Sequence, residues 1–328
     1  CGMFQGPEEH LNDEPFGFDP RAVDAVVVTH AHLDHIGRLP ALYRAGFGAP
    51  VYATAATATL LPLMLDDALK VMREDRRRAA RHGEETSDVP WDRGDLDRLE
   101  SHLEPIPYYR GVDLGPFTVE LKNAGHIPGS AFVEVAGAGR RLTYSGDLGN
   151  ERKEVLPDAD FPARSDLVLC ESTYGDRPHR PFQSTLEELA EILRETLSSG
   201  GTVLIPSFAL ERAQEILFHL RDFEERGRVP VAPVFLDSPL AIKITRVYEQ
   251  MEDVFGMEVR MLMEGGRAPF RTADLRMTDS VEASKTINEH DGPATIIAGS
   301  GMLAGGRILH HLRRCLGDPR NGVVIAGY

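Results

Sequence analysis

The sequence predicts a two-lobed α/β protein, and three observations predict it. At 328 residues the chain exceeds one ordinary core and suits two domains, each able to bury its own apolar centre. Up to about residue 175, short apolar runs end in polar loops with helical stretches between them, the pattern of sheets with helices packed outside. From about residue 180 the rhythm becomes strand, loop and helix in repeated units, the pattern of a mainly parallel sheet with crossover helices.

In the first lobe the strand-like runs are Ala25 to Thr29, Pro50 to Ala53, Phe117 to Leu121, Ala131 to Val135, Arg141 to Ser145 and Leu167 to Cys170. Gly137-Ala138-Gly139 lies between two of them as a hairpin turn would. The longest helical stretch runs from Thr59 to Arg81, and a shorter one from Leu39 to Ala45. In the second lobe Ser184, with Glu187 three residues later, marks a helix start, and Gly200-Gly201 marks its stop. Thr202 to Pro206 then leads into a helix from Glu211 to Phe223, Val234 to Leu236 into a helix after Pro239, and Ala294 to Ala298 into Arg307 to Leu316.

Composition narrows the function classes. With 42% hydrophobic and 27% charged residues the chain reads as soluble, and no run approaches the ~18 apolar residues of a membrane span. Cysteine is limited to Cys1, Cys170 and Cys315, which frames neither a disulfide scaffold nor a zinc knuckle; a reducing cytoplasm is the simplest setting. The net charge of −15, from 36 basic and 51 acidic residues, argues against non-specific coating of nucleic acid, so any such contact is a local groove. The basic run Arg73 to Arg81 reads as a solvated helix face, diluted by Glu74 and Asp75. The chain opens at Cys1-Gly2 without an initiator Met and closes on the strand-like Val323 to Tyr328, so it is expected to be a fragment.

The chemistry concentrates in Thr29-His30-Ala31-His32-Leu33-Asp34-His35, four metal-competent side chains within six residues after a buried strand. A loop leaving a strand end splays alternate side chains, so His30 and His32 can meet one metal while Asp34 and His35 meet a second. Imidazole with carboxylate suits zinc, with manganese or iron as alternatives. His126 in Gly125-His126-Ile127-Pro128-Gly129-Ser130 and Asp147 in Tyr144-Ser145-Gly146-Asp147-Leu148-Gly149 each end a strand-like run in a glycine-containing loop. Taken alone, they read as an ordinary loop histidine and turn residue; beside the first cluster they become ligand candidates.

These three segments resemble the signature of the metallo-β-lactamase fold, an αββα sandwich. The resemblance implies His30, His32 and His126 on one metal, Asp34 and His35 on another, and Asp147 across both, with two zinc ions as cofactors. Leu169-Cys170-Glu171-Ser172-Thr173-Tyr174-Gly175-Asp176-Arg177 is similar to the acidic motif that opens the inserted domain of the β-CASP subgroup, which consists of nucleic-acid-processing nucleases. It implies an incomplete metallo-β-lactamase domain over 1–178, lacking its N-terminal strands, and an α/β β-CASP domain over 179–328. The expected activity is hydrolysis of RNA phosphodiesters through a metal-activated hydroxide at a dinuclear site between the domains. Asp34 orients the nucleophile or takes its proton, and Glu171 holds a catalytic imidazole. RNA is the expected partner, with a second copy of the chain as a further one.

Substrate contacts are sought at strand ends of the second lobe. Ile297 to Gly306 is a glycine-rich turn between a strand and a helix, where backbone N–H groups favour a phosphate, placing Ser300 and Gly301 as candidates. Ser207, Arg212, Asp237, Ser238 and Lys285 also follow strand ends, although Arg212 and Lys285 equally suit solvated helix positions. His310-His311 and Trp91 read as surface or packing residues. The resemblance further implies an aspartate before Cys1 and two histidines after the inserted domain, so this chain is expected to turn over little. The alternatives are a small-molecule metallo-hydrolase of the same fold and a non-catalytic RNA-processing scaffold; endonuclease and 5′-exonuclease action both stay open.

Overall fold

A computed structural model of the chain describes residues 1–83, 88–151 and 154–326; part of the polar connection Gly83 to Asp95 and the last two residues of the C-terminal run lie outside the described residues. The chain divides into two compact units, Cys1–Glu171 and Ser172–Tyr328. The border expected after residue 178 thus lies within the second unit. Among the described residues no helix is long and apolar enough to cross a membrane.

The first unit holds two sheets. Strands β1 (Val26–Val27), β2 (Val51–Ala53) and β3 (Leu103–Pro105) form a parallel sheet in that order. Between them run helices α1 (Leu33–Ile36), α2 (Leu39–Arg44), α3 (Ala55–Arg81) and α4 (Arg93–Ser101). The second sheet follows chain order: β4 (Val112–Leu114), β5 (Phe117–Asn123), β6 (Ala131–Gly137), β7 (Arg140–Tyr144) and β8 (Leu167–Leu169), antiparallel except for the parallel β7–β8 pair. Val119, Leu121, Ala131 and Val133 of the second sheet pack with Val27 and Tyr52 of the first, so the two sheets face each other across one core. The backbone of Ala131 also donates to Thr29 O at 2.7 Å.

Two local expectations are corrected in this unit, and two strands appear that the sequence did not signal. The cluster is not all loop: Asp34 and His35 lie on the single turn α1, closed by Gly37 N donating to Leu33 O at 2.7 Å. Helix α3 begins at Ala55 rather than Thr59, because Thr54 caps it by accepting from Thr57 N, and it carries Pro62 within its length. Strands β3 and β4 gave no apolar run to find, since each alternates apolar and charged residues over only three positions. The hairpin at Gly137-Ala138-Gly139 forms as expected, with Ala138 and Gly139 both at positive φ. Trp91 is fully buried and donates to Gly37 O at 2.9 Å, which pins the connection before α4 to the turn after the cluster.

The second unit is a five-stranded parallel sheet of order β11–β10–β12–β9–β13. Its chain order is α5 (Phe182–Ser198), β9 (Thr202–Pro206), α6 (Arg212–Glu225), β10 (Val234–Asp237), α7 (Pro239–Tyr248), α8 (Met257–Glu264), β11 (Leu275–Met277), α9 (Val281–Thr286), β12 (Ala294–Ala298), α10 (Ile308–Cys315) and β13 (Gly322–Val323). The central strands β9, β10 and β12 are buried almost throughout, which is why they read as continuous apolar runs. Helix α5 starts at Phe182 with Pro181 at its N-cap and no side-chain cap, so Ser184 and Glu187 lie inside the helix rather than at its start. The fixed φ of Pro181 pre-sets that first turn and overrides the capping pattern.

Candidate metal centre

The cluster is built from three backbone segments of the first unit. Beyond β1 the chain stays buried through Val28, Thr29 and His30, and this carries the His30 ring into the interior. The ring is anchored by its Nδ1, 3.2 Å from Thr29 Oγ1, while its Nε2 is buried without a hydrogen-bond partner. Leaving a buried nitrogen unpaired costs ~1–3 kcal/mol, so the orphan points to a missing electrophile.

Around that nitrogen the other candidates converge. The rings of His32, His35 and His126 lie 5.0, 4.0 and 5.0 Å from the His30 ring, and His32 Nδ1 lies 3.1 Å from His126 Nε2. Asp147 reaches both sides: Oδ2 is 3.6 Å from His30 Nε2 and 3.7 Å from His126 Nε2, while Oδ1 is 3.1 Å from His35 Nε2. Asp34 Oδ2 stands 3.6 Å from His35 Nε2. Two ligand sets result, His30, His32, His126 and Asp147 in one and Asp34, His35 and Asp147 in the other, each with ligand atoms within 4.8 Å of one another.

Electrostatics sort these groups into neutral and charged. Burial, reinforced by the neighbouring His32, His35 and His126, holds His30 well below the usual imidazole range, so it keeps a free lone pair. At His35 burial acts in the same sense but is outweighed by the hydrogen bond to Asp147 and the charges of Asp34 and Asp147, which raise it. Burial raises Asp147, yet the His35 hydrogen bond and the surrounding histidines bring it below its ordinary value. The neutral His30 imidazole facing the ionised Asp147 carboxylate, with the other imidazoles and Asp34 beside them, is a donor set that fits a divalent cation.

The loops carrying His126 and Asp147 are held from behind by residues the sequence reading missed. Ser130 Oγ accepts from His126 N at 2.9 Å and Ile127 N at 3.1 Å, while Thr54 and Thr57 both donate to Gly129 O. Ser130 lay inside the quoted His126 segment, but Thr54 and Thr57 are distant in sequence and left no local signal. Glu171 Oε1 accepts from the backbone of Leu148, next to Asp147, and its own N–H donates to Ser145 Oγ. Gly146 adopts φ of 55°, and Gly149 donates to Ala124 O at 2.8 Å.

In the second unit Ser207, Ser238, Ser300 and Gly301 gather at the carboxyl ends of β9, β10 and β12. Ser207 N donates to Ala298 O at 3.0 Å, and a Cβ placed on Gly299 would stand 4.0 Å from Ser238 Oγ and 3.9 Å from Ser207 O. Ser300 Oγ is buried without a partner. A side chain at Gly301 would press on Phe208 at 2.9 Å, so this turn admits close backbone approach only with glycine. Arg212 is ion-paired to Glu215 at 2.6 Å, which takes up its charge. Lys285 is an exposed residue of α9.

An α/β unit of two facing sheets with two histidine–aspartate ligand sets at its strand ends defines a class of fold and site. Comparison with known proteins gives the family. A model described as "Metallo-beta-lactamase superfamily" matches residues 6–207, and one described as "Beta-Casp domain" matches residues 213–328. The chain therefore belongs to the metallo-β-lactamase superfamily, in the β-CASP subgroup. It is 52% identical over 328 residues to "Ribonuclease TTHA0252" of Thermus thermophilus, covering 100% of this chain and 72% of that protein. It is 31% identical to "Transcription termination factor FttA" of Methanosarcina mazei, covering 100% of this chain and 51% of that protein. It is 29% identical to "Probable RNase MJ4" of Methanocaldococcus jannaschii, covering 94% of this chain and 68% of that protein.

Proposed function

We propose that this protein is a metal-dependent ribonuclease with a dinuclear centre. His30, His32 and His126 would hold one divalent cation and Asp34 and His35 the other, with Asp147 in reach of both sets. The carrying observation is the pair of ligand sets that share Asp147 around the orphaned, buried Nε2 of His30. RNA as substrate is supported by the names of the Thermus and Methanocaldococcus relatives. Zinc suits this mixture of imidazole and carboxylate, with manganese or iron as alternatives.

When bound, divalent cations would supply Lewis acidity, acidifying a water and offsetting the negative charge on the oxygens of the attacked phosphoryl group. The chain's own residues do the rest. Asp34, more than half exposed at 54%, is free to orient the attacking water and take its proton. Glu171 fixes the backbone beside Asp147 and so acts as a positioning residue. Ser207, Ser238, Ser300 and Gly301 bind an RNA phosphate, for which the buried, unpartnered Ser300 Oγ offers a donor.

The test is metal content by mass spectrometry together with cleavage of end-labelled RNA. His32→Ala is expected to lose bound metal and to slow cleavage on the order of a thousandfold, about 4 kcal/mol of transition-state stabilisation. Metal uptake with hydrolysis of a thioester or lactam but not of RNA would establish the small-molecule hydrolase instead. RNA binding without metal uptake would establish the scaffold.

A further inference from the structure

The carboxylate of Asp237 accepts from four different side chains of the second unit, and the proposed chemistry does not use it. It ends β10, and its side chain is fully buried. Its Oδ1 accepts from Thr278 Oγ1 at 2.8 Å and Arg307 at 2.7 Å, and its Oδ2 from Ser284 Oγ at 2.7 Å and His311 Nε2 at 2.7 Å. Burial works to raise its pKa, but the hydrogen bonds from His311, Ser284, Thr278 and Arg307 outweigh it and hold the group at about 2. The donors come from three places: the end of β11, α9 and the start of α10.

Their placement relative to the glycine-rich turn gives this knot a purpose. Arg307 is the first residue after Gly306, and its guanidinium also donates to Thr278 O at 2.8 Å. His311 lies one turn further along α10. The turn is closed by Ile308 N donating to Gly299 O at 3.0 Å and Ser300 N to Gly305 O at 3.3 Å. Gly306, at φ of 76°, leaves no room for a side chain, since its Cβ would stand 2.2 Å from Gly299 O. Ser238, directly after Asp237, caps α7 by accepting from Ala241 N. One buried anion therefore fixes both the segment carrying Ser238 and the helix that terminates the turn carrying Ser300 and Gly301.

We infer that Asp237, held by Arg307 and His311, is a positioning residue that sets the phosphate-binding shape of the 299–306 turn and so governs RNA affinity rather than the chemical step. This rests on the phosphate role proposed above for that turn. His311→Leu removes one donor to Asp237, whereas His311→Gln keeps an N–H donor on a side chain that can reach it. The exposed neighbour His310→Gln serves as control.

The experiment measures RNA affinity by anisotropy in a chelator, then KM and kcat on labelled RNA with manganese, for variants whose circular dichroism matches wild type. His311→Leu is expected to weaken affinity and raise KM about tenfold, the scale of one charge-assisted hydrogen bond, with kcat within about twofold. His311→Gln should recover most of that loss. Combined with Ser300→Ala, the Leu variant should add less than the sum of the two single effects, as expected when one residue acts through the other. Wild-type affinity in His311→Leu, a loss confined to kcat, or full additivity with Ser300→Ala would overturn the inference. If wild type itself binds no RNA, the functional reading fails instead. Should His311→Leu fail to fold, Thr278→Val and Ser284→Ala, each removing one other donor, carry the same expectations.

Discussion

Each unit gathers donors around a carboxylate, part-exposed at Asp147 and fully buried at Asp237, and the two clusters are opposites. Around Asp237 every side-chain donor finds its acceptor, and four bonds surround one anion. Around Asp147 the nearest imidazole nitrogens stand 3.1, 3.6 and 3.7 Å away, and His30 Nε2 has no hydrogen-bond partner. A satisfied polar cluster is scaffold, because its bonds are complete without a guest. An unsatisfied one is a site, because only a further group offsets its desolvation.

That contrast can be tested on the metal-free protein. The largest expected effect is at the satisfied cluster, where Asp237→Ala leaves the buried His311 and the part-buried Arg307 without their shared acceptor and should cost about 3 kcal/mol of unfolding free energy in urea titrations. Near-neutral behaviour would mean that the cluster is not closed in solution. Next comes His219, a buried histidine of the second unit far in sequence from the metal ligands, whose pKa burial lowers to about 4. Its folded form binds fewer protons than the unfolded chain between pH 6.5 and 4, so stability is present above that window and is lost as pH falls through it. His219→Leu should flatten the wild-type loss across that window by up to about 3 kcal/mol. The smallest effect has the opposite sign. His30→Leu removes an orphaned nitrogen, and in chelator it should hold or raise stability by about 1 kcal/mol while abolishing any stabilisation by added zinc. A destabilised His30→Leu protein would show that the imidazole is satisfied without metal.

Legibility in the sequence followed this division. His30, His32, Asp34 and His35 were readable as a cluster because four metal-competent side chains crowd into six residues after a buried strand. His126 and Asp147, ordinary loop residues when taken alone, became candidates only beside that first cluster. The parallel sheet of the second unit was readable because β9, β10 and β12 are buried on both faces and so apolar throughout. The Asp237 knot was not, since Thr278, Ser284, Arg307 and His311 are scattered over four positions and only the fold brings them to one carboxylate. His311, read together with His310 as a surface or packing residue, is buried, and nothing local marked its partner. Strands β3 and β4 were lost because edge positions and charged residues erase the apolar signal.

The close approach at Gly149 has a consequence for redesign. Its N–H bonds Ala124 O, and a Cβ there would stand 1.8 Å from Gly125 O, so two ligand-bearing loops are laced main chain to main chain. A second stitch runs from Asp160 N to Asn123 O. His126 and Asp147 therefore shift as a single plate, and an insertion on either side drags the other with it. The spacing between the two loops thus belongs to the backbone rather than to the side chains they carry.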